Sequence, residues 1–154
     1  MLLEGQFKIQ APIQQVWDSL LDPKTLGSCV PGTEMMEAVD KETYESVVKQ
    51  KVGPFKIKLK FTTKLTEVRP PNYIKAVGRG ADVTKLGNFS SEIEVKLTET
   101  APNNVDVSYT ANVSLVGKLA TFGERVMRAK AKEVGDEFTK NLQEKLGASR
   151  TAGA

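Results

Sequence analysis

A chain of 154 residues, 40% of them apolar, with a net charge of +3, suits one domain with a core of its own. A single cysteine, Cys29, and the absence of histidine exclude an intrachain disulfide, the commonest zinc and iron ligand sets and every histidine-assisted nucleophile, while leaving carboxylate or lysine chemistry open. No apolar run reaches the roughly 18 residues of a membrane span, and the start, MLLEGQFKIQ, lacks the basic and apolar regions of a secretion signal, so the expectation is a cytoplasmic protein.

The first predicted strand, LLEGQFKIQ, sets Leu3, Gly5, Phe7 and Ile9 on one face. In APIQQVWDSLLD, Pro12 suits a first helical position, and Ile13, Val16, Trp17 and Leu20 recur at helical spacing. Asp22 followed by Pro23 caps a second short helix, DPKTLGSC, which VPG at 30–32 ends. Strands follow. ETYESVVKQKV puts Tyr44, Ser46, Val48, Gln50 and Val52 on one side. FKIKLKF sets Phe55, Ile57, Leu59 and Phe61 against Lys56, Lys58 and Lys60, the sharpest alternation in the chain. YIKAVGRGAD is weaker, with Gly78 and Gly80 marking bulges or close approach. NFSSEIEVKLTET and VDVSYTANVSLVG alternate again.

The last segment changes period. Leu119, Phe122, Val126, Ala129 or Lys130, Val134, Phe138 and Leu142 predict one amphipathic helix over 118–146, about seven to eight turns long. Gly123 and Gly135 fall inside it, each costing about 1 kcal/mol in helix propensity against alanine while allowing close packing or a bend. GASRTAGA at 147–154 reads as a frayed tail, which leaves 1–146 as the domain. The order is strand, two helices, six strands, one long helix. The predicted class is α+β, a curved antiparallel sheet of about seven strands with its apolar side folded around the last helix.

Six pieces in this order resemble a known family: Ala11-Pro12 with Val16-Trp17, CVPG at Cys29 to Gly32, KVGPFK at Lys51 to Lys56, LTEV with PP at Leu65 to Pro71, VGKLATFGER at Val116 to Arg125, and DEF with NL at Asp136 to Leu142. Together they are similar to the carbon monoxide dehydrogenase CoxG family, within the START-like (SRPBCC) helix-grip superfamily. The resemblance implies a curved sheet gripping a C-terminal helix over a hydrophobic cavity. It also implies a non-catalytic accessory, without a cofactor or metal of its own, to a molybdenum hydroxylase of the carbon monoxide dehydrogenase type. Roles implied for such proteins are recruiting the dehydrogenase to the membrane and handling a lipophilic quinone. Many members carry a long tail linked to membrane attachment; here eight residues follow Leu146, which weighs against that route.

The dry face supplies the candidate cavity. Leu59, Phe61, Phe89, Ile93, Tyr109, Ala111 and Val113 are expected to face Phe122, Val126 and Met127 of the helix. A solid core is the plainer reading. Against it, Ser46, Gln50, Thr63, Ser91 and Tyr109 interrupt the dry side, and buried hydroxyls and amides without partners cost about 1–3 kcal/mol each. A pocket with apolar walls and a few polar anchors accounts for them. Leu26, Cys29, Met35, the loop around Leu86 and Phe122 are expected near its mouth. Cys29 as a reactive thiol weighs less than Cys29 as a small buried apolar residue.

On the wet face, Lys49, Lys51, Lys56, Lys58 and Lys60 share one hairpin, with Lys64 beyond. A solvated outer face with edge protection competes there with a docking patch for an acidic partner or anionic headgroups. Nucleic acid is disfavoured because no aromatics are interleaved. Glu92 and Glu94 point outward and do not face each other across a cleft as paired catalytic carboxylates must. Three classes of function stay open: a binder of a lipid or quinone-like molecule, a protein-interaction adaptor with a closed core, and a cyclase- or hydrolase-type enzyme.

Overall fold

A computed structural model describes the side chains of residues 1–147 and the backbone of 1–153. The chain runs β1 (Leu2–Ile9), α1 (Ile13–Leu21), α2 (Pro23–Cys29), β2 (Thr33–Ala38), β3 (Thr43–Val52), β4 (Phe55–Arg69), β5 (Tyr73–Asp82), β6 (Gly87–Ala101), β7 (Asn104–Gly117), a 3₁₀ turn (Lys118–Phe122) and α3 (Glu124–Gly153). These strands form one antiparallel sheet in the order β1-β7-β6-β5-β4-β3-β2. The α+β helix-grip architecture is therefore as expected. β2, the first strand after the short helices, shows little alternation of its own, because a bulge between Thr33 and Met35 shifts its register.

Two features of the last segment differ from the expectation. The single helix over 118–146 is divided: Gly117 (φ 79°) and Gly123 (φ 83°) bracket the 3₁₀ turn, and α3 starts only at Glu124. Positive φ is a conformation glycine enters at little cost, so Gly123 is not a weak point inside the helix but the joint before it. Beyond Leu146 the backbone continues as helix to Gly153. The frayed tail expected at 147–154 falls, apart from Gly147, on side chains outside the described residues.

Strand alternation separates the sheet into a dry and a wet face. Apolar residues collect at the two ends of the dry face. At one end Ile9, Val16, Trp17, Cys29, Leu97, Val107, Leu142 and Leu146 form the main cluster, with Phe7 and Phe138 packed edge to face, centroids 6.1 Å apart. At the other, Val52, Ile57 and Leu119 form a smaller cluster with Leu59, Leu86, Leu115 and Phe122 against it. Each fully buried side chain of this size contributes about 1.5–3 kcal/mol. The helix α3 makes its main contacts with β1 and α2, through its C-terminal half.

The β5–β6 turn is pinned by a buried carboxylate. Asp82 is 2% exposed. Its Oδ1 accepts from the Lys58 amide (2.8 Å), and its Oδ2 from the amides of Thr84 (2.9 Å) and Leu86 (3.2 Å) and from the Thr84 hydroxyl. Burial raises the Asp82 pKa, but these donors outweigh burial and hold it below the ordinary 3.8. Replacing Asp82→Ala strands several donors and is expected to cost about 2–3 kcal/mol in denaturant unfolding near neutral pH. The folded pKa is the depressed one, so this contribution is present above the unfolded value and fades as pH falls through the folded value. The gap between wild type and Asp82→Ala is expected to narrow below about pH 3.8.

Candidate functional site

Between the two clusters the dry face is hollow. The cause lies in the middle strands. On β5, Gly78 and Gly80 lie on the dry face, but the neighbouring strands close over them and neither lines the hollow. A Cβ on Gly78 would meet Ser91 Oγ at 3.0 Å, and one on Gly80 would overlap Phe61 and the Lys60 carbonyl. Ala76 on β5 and Ala111 on β7 add little volume. The result is an open cavity of about 560 Å³ between α3 and the sheet. That lies within the range of small-molecule sites, about 300–1,000 Å³.

The walls are almost wholly apolar. Leu20, Leu21, Leu26 and Val30 line it from the short helices; Leu65, Ile74, Ile93 and Val107 from the sheet; Met127, Ala131, Val134 and Phe138 from α3. Four polar side chains reach it: Tyr44, Thr63, Tyr109 and Lys130. Tyr44 is committed, its hydroxyl donating to the Leu21 carbonyl at 3.0 Å. Burial, with the Asp22 charge adding, raises the Tyr44 pKa above 10.0. Tyr109 lies in a slot that two glycines leave: a Cβ on Gly5 of β1 would overlap its hydroxyl, and one on Gly135 of α3 would lie 3.2 Å from it. Its ring separates the cavity from a surface cleft lined by Glu4, Arg128, Lys132 and Asp136. Neither Tyr109 nor Thr63 bonds another side chain or a backbone group through its hydroxyl among the described residues.

Of the expected cavity residues, Leu26, Thr63, Ile93, Tyr109, Ala111 and Met127 line this space. The others lie elsewhere, each for a physical reason. Phe61 and Phe89 pack on each other edge to face at 5.6 Å, and Leu59 joins the smaller cluster. Ser46 is buried opposite Phe61 in register, and Ser91 and Val113 form a cross-strand pair short of the cavity wall. Gln50 Nε2 donates to the Pro31 carbonyl at 2.7 Å, tying the α2–β2 loop to β3. Phe122 stacks on Phe55 at 5.1 Å, away from the cavity wall. Val126 is 44% exposed. Successive steps of four residues turn about 160° around a helix over sixteen positions, so a series beginning at Val126 cannot stay on the face that holds Leu142.

Cys29 is 1% exposed in the main cluster, and its carbonyl accepts from Asn141 Nδ2 at 3.0 Å, which fits a packing residue and not a thiol at the mouth. Met35 stands opposite Val47 on the wet side; the bulge puts Met36 on the dry side instead, opposite Ser46 and against Gly27. Residues that sequence reasoning does not place at the cavity include Val30, Leu65, Ile74, Ala76 and Lys130. The signal for Lys130 is its place in the apolar stripe of the last helix.

On the wet face the lysines stand opposed in register: Lys49 with Lys58 and Lys51 with Lys56. Like charges directly opposite destabilise a strand pair. Glu34 on β2 relieves one pair, with Oε1 3.2 Å from Lys58 Nζ and 3.6 Å from Lys49 Nζ. The hydrogen bond from Lys58 is the main cause that lowers the Glu34 pKa. Lys51, Lys56 and Lys60 have no ion-pair partner among the described residues. Glu94 accepts from the Tyr73 hydroxyl and Glu92 lies opposite Val77, so neither carboxylate reaches the cavity. No helix among the described residues is long and apolar enough to cross a membrane.

Filling the hollow tests it directly. Ala111→Trp is expected to abolish binding of apolar ligands while changing stability by less than the roughly 1–3 kcal/mol that overpacking a solid core costs. Thermal melts with and without a quinone analogue read both effects.

This geometry has close counterparts. A conserved protein from Geobacillus kaustophilus superposes with a TM-score of 0.89 at 23% identity, covering 97% of each chain. A START superfamily protein from Mycobacterium smegmatis superposes at 0.73 with 10% identity, over 96% of this chain and 97% of that one. The Zhui aromatase/cyclase from Streptomyces sp. R1128 does so at 0.68 with 12% identity, over 96% and 93%. These likenesses establish the START-like fold. No curated protein matches the sequence. The family model for the carbon monoxide dehydrogenase protein CoxG matches residues 5–147, and the chain belongs to the CoxG family.

Proposed function

We propose that this protein holds a lipophilic small molecule, a lipid or a quinone-like compound, in its internal cavity. It does so as a non-catalytic accessory to a molybdenum hydroxylase of the carbon monoxide dehydrogenase type. The observation that carries the reading is the open hollow of about 560 Å³, walled by aliphatic and aromatic side chains with four polar groups. Family membership supplies the dehydrogenase. The Lys51, Lys56 and Lys60 side chains, unrelieved by acid among the described residues, offer the hydroxylase or the inner membrane face an electrostatic docking surface from the cytoplasmic side.

The energies suffice without a special polar device. A guest burying ~300 Å² of apolar surface gains ~7.5 kcal/mol at ~25 cal/mol per Å². Lost translation and rotation oppose this by several kcal/mol. Weak to micromolar affinity is the outcome, suited to a molecule that must be released again.

The test is solvent extraction of the purified protein followed by mass spectrometry, then titration with a homologous series of alkyl-chain ligands. A co-purifying isoprenoid or lipid is expected. Affinity is expected to rise about fourfold per added methylene, the equivalent of ~0.8 kcal/mol, until the cavity is full. An empty protein whose binding is flat across the series overturns the reading in favour of an adaptor.

A further inference from the structure

We propose that the guest carries one anionic head group and that Lys130, at the rim of the cavity, pairs with it. The inference rests on the reading of the cavity as a lipophile site and adds the chemical class of the guest.

Three observations converge on Lys130. It lines the apolar cavity, and its side chain is only 17% exposed. Its ammonium is poorly served: the nearest acid is Glu133, 67% exposed, with both carboxylate oxygens at 3.5 Å, the outer limit of a hydrogen bond. On the outer face nearby, Lys132 shows what a well-made pair on this helix looks like, 2.9 Å from Asp136. Among the described residues no carboxylate lines the cavity. A mostly buried side chain whose ammonium makes only two long contacts, both to one exposed carboxylate, has unspent donors, and an anion brought by a ligand would complete them.

The position suits a rim. Asn141 and Lys145, on the same side of α3, reach Cys29 and Ser28 of α2. Lys130 precedes Asn141 by about three turns, roughly 16 Å along the axis, beyond the end of the contact with α2. Its methylenes lie over the apolar space and its charge stands at the edge, the usual disposition of a long basic side chain on an apolar surface. An amphiphile with its chain toward Phe138 would bring its head to this charge. A carboxylate and a phosphate share the chemistry that Lys130 reads.

The experiment compares hexadecanoate, hexadecyl phosphate and methyl hexadecanoate, each displacing a fluorescent apolar probe below the micellar range. At least one anion is expected to bind about tenfold or more tightly than the ester, as a charge-assisted contact provides. Lys130→Met, which keeps the stem over the cavity, is expected to erase that preference by bringing the anion's affinity down to that of the ester; Lys130→Arg is expected to retain it. Hexadecanoate alone or hexadecyl phosphate alone showing the preference names the head group. Equal affinity for all three in the wild type, or a preference that survives Lys130→Met, overturns the inference while the lipophile reading stands. Loss of anion and ester binding together in a folded Lys130→Met makes Lys130 a wall residue and also overturns it. If none of the three binds the wild type, the lipophile reading falls, and this inference with it.

Discussion

The separation of α3 from the sheet decides what this molecule can do. Among the described residues, its main packing gathers at one end. Phe138, Leu142 and Leu146 pack on Phe7, Ile9, Trp17 and Val107, and that anchor fixes the helix to β1, α1 and α2. Toward its start the helix faces Ala76 and Ala111 across the cavity, where the sheet carries little bulk. A helix cannot bend down to fill the space without giving up its own hydrogen bonds, and the sheet has no bulk there to rise into it. The gap follows from an anchored end, a rigid rod and small residues in mid-strand. The second cluster, around Val52, Ile57 and Leu119, packs apart from this space and contributes no side chain to its wall.

The fold alone does not decide whether chemistry occurs in that gap. One protein with the same architecture is an aromatase/cyclase, and superfolds carry unrelated activities. What the walls offer is informative. Tyr44 is tied to the Leu21 carbonyl, no carboxylate among the described residues reaches the cavity, and the chain contains no histidine. Tyr109, Thr63 and Lys130 can orient a guest, but no pair of groups with separated proton affinities converges on one point among them, as acid–base catalysis requires.

Element order, strand parity and the wet lysine face are legible in the sequence because period-2 and period-3.6 patterns report directly on which side of an element is dry. Tyr109, Ala111 and Ile93 can be placed at the cavity because mid-strand positions in adjacent strands share a face. The ends of the dry face are less legible. Parity says that Phe61, Phe89 and Leu59 point inward, but not that they pack against each other and against a neighbouring cluster. Met35, placed near the mouth by the helix-grip resemblance, falls on the wet side because a bulge shifts parity by one residue, and a bulge in a short strand leaves no repeat to detect. Propensity makes Gly123 a flaw inside a helix because it is blind to the sign of φ, whereas at 83° the residue is the joint between two segments.

Open space surrounds the point where a Gly123 side chain would stand, so nothing among the described residues wedges that joint. The first turns of α3 are linked to the 3₁₀ segment by a swivel of few backbone bonds, while the rear anchor is built from interlocked rings and branched chains. The 3₁₀ segment and α3 therefore take separate directions, Leu119 and Phe122 joining the smaller cluster while Phe138, Leu142 and Leu146 hold the rear anchor. A Cβ at this position would strain the backbone, so the change of direction depends on the residue being glycine.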